Sequence, residues 1–127
     1  MHRVSEDAAL FNRKLAQMSD RLAAKDVVVS RLHADWPHWW ELHVERGHET
    51  QQYNDQLRGP DPMHAAGPEV LRFFWDGLEG LMTVEASPTR PLSAPYEWKF
   101  ECGKSFDRSG DEALEFVEEY LTKRFAR

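Results

Sequence analysis

The sequence predicts an α+β fold: a mostly antiparallel sheet of about five strands, with N- and C-terminal helices packed on one face. Three observations predict it. Helical apolar periodicity occurs at the two ends of the chain, and strand-like segments fill the stretch between them. The strands also follow one another without the helix–strand interleaving that a parallel sheet requires. The expected order is helix, strand, strand, long loop, strand, strand, strand, helix.

The first helix has Ser5 as its cap, with Glu6 and Asp7 in the first turn where the helix dipole favours them. Ala8, Phe11, Leu15, Met18 and Leu22 then recur at three- and four-residue steps along one face, and the helix should end near Lys25. Val27 to His33 is rich in β-branched residues and reads as a strand. Asp35 and Pro37 turn the chain. From Trp39 to Arg46, Trp40, Leu42 and Val44 alternate with Trp39, Glu41, His43 and Glu45, so this strand should complete a hairpin.

Residues 47 to 68 are polar and rich in glycine and proline, and a long loop is expected there. Thr50 to Leu57 can make a helical turn or two, with Tyr53 and Leu57 four apart. Val70 to Trp75 and Leu81 to Ala86 read as a second hairpin, turned at Asp76-Gly77. Three prolines between Ser87 and Pro95 mark a connection. Tyr96, Trp98, Phe100 and Cys102 then alternate with Glu97, Lys99 and Glu101, which predicts a strand with an aromatic face under the last helix. That helix has Ser109 and Glu112 as a capping box, an apolar face of Leu114, Val117, Tyr120 and Leu121, and basic residues at its C-terminal end.

Composition narrows the function classes. The chain has 127 residues and a formal net charge of −6, and it reads as a single globular domain. An acidic balance argues against nonspecific nucleic-acid binding, which depends on Lys and Arg against phosphate. The single cysteine, Cys102, cannot form an internal disulfide. No apolar run reaches the roughly 18 residues that a membrane span needs, and the acidic start is unlike a signal peptide. The expectation is a cytoplasmic chain without a membrane partner.

Few patterns carry chemistry. His33, His38, His43 and His48 stand five residues apart, a step that alternates strand faces and does not suit one set of metal ligands. A hairpin could still join His33 to His43. Glu41, His43 and Glu45 share a strand face, where neighbouring Cα atoms lie about 7 Å apart. Their plain reading is a solvated face. Cys102 is in phase with the aromatic residues and reads as a buried, inert thiol. Gly103-Lys104-Ser105 ends like a phosphate loop but lacks the upstream glycine, position 98 being Trp98. No cofactor or metal is expected.

Tryptophan and charge are the more informative excesses. Three of the five tryptophans fall within Trp36 to Trp40. Trp40 should face the core, which sends Trp39 the other way, beside Glu41 and His43. An exposed tryptophan ringed by polar groups has the composition of a protein-binding hot spot. The first sixty residues carry eight basic and nine acidic side chains, the remainder eight and thirteen. Glu115 and Glu119 belong to this acidic excess, which can steer a basic partner.

These features favour a small acidic protein-binding domain, such as an inhibitor or immunity-type protein that blocks a basic or nucleic-acid-handling partner. Its expected contact residues are Trp36, Trp39, Glu41, His43, Glu115 and Glu119. The alternative is a small-molecule-binding domain or enzyme with an aromatic pocket of Phe73, Trp75, Tyr96 and Trp98 under the long loop, using His43, Glu41 or Asp76. A homodimer is compatible with either.

Overall fold

The computed structural model describes residues 2–35, 38–88, 90–91, 95–106 and 111–125. In chain order the elements are α1 (His2–Ala23), β1 (Val27–Asp35), β2 (Trp39–Arg46), α2 (Gly47–Arg58), a 3-10 turn (Pro62–His64), β3 (Ala66–Gly67), β4 (Val70–Asp76), β5 (Leu81–Ser87), β6 (Arg90–Pro91), β7 (Lys99–Ser105) and α3 (Asp111–Arg124). Five strands form an antiparallel sheet in the order β1-β2-β4-β5-β7, and β3 pairs with β6 in a separate short ladder. The predicted α+β architecture is therefore the observed one.

The alternation within β2, β4 and β5 divides the sheet into two faces. Leu42 lies opposite Phe73, which lies opposite Val84, and Trp40 follows the same path through Trp75 to Met82. All six are essentially buried. They are covered by Phe11, Leu15, Met18 and Leu22 of α1 and by Leu114, Val117 and Leu121 of α3. Phe11 meets the Trp40 indole at a ring separation of 5.6 Å. Across the helix pair, Arg21 donates Nε and Nη2 to the two carboxylate oxygens of Glu118, each at 2.7 Å. Such a bidentate pair fixes the relative rotation of α1 and α3 better than a single contact can.

Local signals explain the turns. Asp76 Oδ1 accepts from the backbone N–H groups of Leu78 and Glu79 at 3.0 and 3.1 Å, closing the β4–β5 turn as an aspartate does. Gly80 takes φ 68°, a left-handed conformation that glycine adopts without Cβ strain. At the start of α2, a Cβ on Gly47 would come within 2.5 Å of Asp26 Oδ1, so a larger residue there would displace the Asp26 carboxylate from the start of α2.

Four expectations are corrected. α1 begins at His2, which places Ser5 inside the helix rather than ahead of it. Residues 47–58, expected within a long loop, form a three-turn helix. Its sequence has no glycine or proline after Gly47 until Gly59-Pro60 ends it, but none of its residues is fully buried, so it leaves little apolar pattern to read. The third correction concerns Tyr96 and Trp98, which precede β7 and stack on the sheet face opposite α3. The fourth is the phase of β7. Val84 pairs with Cys102 but Glu85 pairs with Phe100, leaving Glu101 as an extra residue. The bulge puts Phe100 and Cys102 on different faces and delivers Glu101 to Tyr120 and Arg124 of α3. β1 has a similar irregularity, with Ser30 between the paired residues Val29 and Arg31. Ser109 of the expected capping box lies outside the described residues.

Two phenylalanines test this phase assignment. Phe73 is fully buried and Phe100 is 69% exposed. In urea denaturation, Phe73→Ala should cost about 3–5 kcal/mol, whereas Phe100→Ala should stay within about 0.5 kcal/mol of the parent.

Candidate functional site

The sheet face opposite α1 and α3 carries charge at its centre. His43, Arg72 and Glu85 lie in one row across β2, β4 and β5. Arg72 donates Nε and Nη2 to Glu85 Oε1 at 3.1 and 2.6 Å, and its Nε lies 3.5 Å from Glu41 Oε1. The guanidinium also lies over the Trp98 ring, 4.2 Å from the centroid. Aromatic and carboxylate partners together let a cation occupy a partly buried site.

His43 lies beneath the same roof. It is 6% exposed, with Trp98 and Tyr96 set edge-on at ring separations of 5.2 and 6.0 Å. Tyr96 and Trp98 stack on each other at 4.9 Å. Burial pushes the His43 pKa below its ordinary value; Glu41, with Oε1 at 3.6 Å from Nε2, opposes the shift without reversing it, and Arg31 and Arg72 add to it. The ring is therefore mainly neutral at pH 7.

Beside His43 opens a cleft of about 270 Å³ between β1, β2, α2 and the segments around Gly67 and Tyr96. Arg31, Glu45, Tyr53 and Asn54 line it together with His43 and Tyr96. Burial raises the Glu45 pKa, with hydrogen bonding to Thr50 opposing and the nearby Glu49 charge reinforcing the shift. Ser30, the bulge residue of β1, donates Oγ to the His43 carbonyl at 3.3 Å and so ties the strand edge to the cleft floor.

Toward the β4–β5 turn the same sheet face carries an aromatic pair. Trp39 and Phe74 stack with ring centroids 6.0 Å apart and planes inclined by 23°. Both are half-buried, while Leu81 and Phe100 on this face are exposed. Glu41, Arg72 and Glu85 lie between this aromatic area and the His43 cleft.

The candidate contact residues do not form one site. Trp39, Glu41 and His43 share the second sheet face, but Glu115 and Glu119 are exposed on α3, across the sheet. Trp36 lies outside the described residues. His43 is buried rather than solvated. The expected aromatic pocket is likewise divided: Phe73 and Trp75 pack under the helices, and Tyr96 and Trp98 cover the other face. Asp76 is occupied as the turn aspartate.

Two of the remaining histidines have local side-chain partners. His33 lies opposite Glu41 and its Nε2 accepts from Arg31 Nε at 2.8 Å, while His48 Nδ1 is 2.6 Å from Asp26 Oδ2. Among the described residues, no three His, Cys, Asp or Glu side chains gather in a geometry that could hold a metal ion. Cys102 is partly buried against the core, and burial raises its pKa, which disfavours thiolate.

Sequence reasoning missed Arg72, Tyr53 and Arg31. Arg72 sits inside an otherwise apolar strand, where a lone charged residue signals that the second face has partners for it. The chain matches no protein-family model, no curated protein and no solved structure. Among the described residues, no helix is long and apolar enough to cross a membrane.

The depressed His43 pKa has a defined consequence for stability. Between the folded value and the unfolded value of about 6.5, the unfolded chain binds more protons, so this residue's contribution is full above that window and is lost as pH falls through it. In urea titrations, the parent should lose stability on acidification below about pH 6.5. His43→Gln should flatten that part of the profile.

Proposed function

We propose that the chain is a protein-binding domain whose contact surface is the apolar part of the second sheet face. The observation that supports this reading is the stacked Trp39–Phe74 pair, with Leu81 and Phe100 exposed on the same face and the charged groups of Glu41, Arg72 and Glu85 beside it. Aromatic groups on a fixed strand scaffold lose little side-chain entropy on binding, and a polar surround helps exclude water. The preferred partner is a basic protein. The net charge of −6 favours that pairing, and the exposed Glu115 and Glu119 on α3 steer it from a distance rather than touch the same contact area. An inhibitor or immunity-type protein that covers a nucleic-acid-handling surface is the specific form of this proposal.

The test is affinity capture with the tagged chain, at low salt and at about 0.5 M salt, where the Debye length shrinks to a few ångströms. A stoichiometric basic partner should be retained by the parent and by Met63→Ala, an exposed control outside this patch. Trp39→Ala and Phe100→Ala should each weaken it by about 2 kcal/mol or more. Equal binding by all the variants would refute the assigned surface. Glu115→Lys with Glu119→Lys should slow association, with the difference shrinking as salt rises. An unchanged association rate at low salt would remove the steering role.

A further inference from the structure

The cleft beside His43 holds two opposite charges that do not meet. Arg31 from β1 and the half-buried Glu45 from β2 both line it, yet no ion pair within 4.0 Å joins them among the described residues. Arg31 Nε donates to His33, which leaves the terminal guanidinium nitrogens as the group's remaining donors. Glu49 adds negative potential at Glu45. A simple anion in this cleft would therefore meet Glu45, and a simple cation would meet Arg31. One small molecule carrying both charges satisfies both.

Size and surface restrict it further. About 270 Å³ lies just below the usual range for drug-sized ligand sites and suits a molecule of amino-acid size. Tyr53 and Tyr96 supply ring surface, Pro68 and Val70 supply apolar surface, and Asn54 supplies an amide. We infer that the cleft is a binding site for a free amino acid with an apolar or aromatic side chain: its carboxylate pairs with Arg31, its ammonium with Glu45, and its side chain lies against Tyr53 and Tyr96. This site is separate from the Trp39–Phe74 surface, and its test does not depend on a protein partner.

The probes are the twenty free L-amino acids, screened by thermal shift and followed by calorimetry on the full chain. At least one apolar or aromatic amino acid should raise the melting temperature in a saturable manner, as a ligand selective for the folded state must. Its N-acetyl derivative and its carboxamide should each bind about tenfold more weakly or worse, since each lacks one of the two charges. Glu45→Gln and Arg31→Gln should produce comparable losses with the unmodified amino acid. Arg31 is exposed on a strand at the sheet edge, so its variant carries the test if Glu45→Gln disturbs folding. Absence of a shift with all twenty, equal binding of the blocked derivatives, or unchanged binding by the folded Arg31 variant would each overturn the assignment.

Discussion

A single guanidinium makes the second sheet face possible. Arg72 stands on the central strand, between His43 on one neighbour and Glu85 on the other, with Glu41 within reach and Trp98 above. Without that cation, two carboxylates would share a partly buried face with no positive partner between them, an arrangement that costs free energy. With it, the aromatic pair Tyr96–Trp98 can close over charged strands. His43 then acquires its buried environment from the same roof. The charged centre and the aromatic cover therefore depend on each other.

The two faces divide the physical tasks of the molecule. The face toward α1 and α3 is apolar, and its stability comes from removing Trp40, Phe73, Trp75 and their neighbours from water. The opposite face is chemically mixed, with a cleft at one end, an ion cluster in the middle and an aromatic area at the other end. Because both faces alternate along the same strands, a change of register by one residue would exchange them. The position of the proposed contacts is thus tied to the same alternation that builds the core.

Elements with local patterns were legible in the sequence. The α1 stripe, both hairpins and the apolar side of α3 all show their burial in residue spacing, and the buried residues follow it. α2 was not legible as a full helix, because a polar helix that buries none of its residues completely lacks a strong stripe. The strand-like alternation from Tyr96 to Cys102 also misled, since spacing alone cannot reveal an extra residue at Glu101 or the late start of β7. The environment of His43 was least accessible to sequence reasoning. Its roof comes from residues more than fifty positions away, so the apparent polar face of β2 contained no local sign of burial.

The irregular residues Ser30 and Glu101 lie on β1 and β7, the two outermost strands of the main sheet, while the paired stretches of β2, β4 and β5 between their neighbours run without such shifts on the β2–β4 and β4–β5 ladders. An outermost strand offers unpaired backbone donors and acceptors to any extended chain it meets. An extra residue increases local twist and interrupts the regular spacing of those groups, so a flat incoming strand cannot match them along its whole length. The same irregularities that redirect side chains toward the cleft and α3 therefore also oppose edge-to-edge growth of the sheet into fibres.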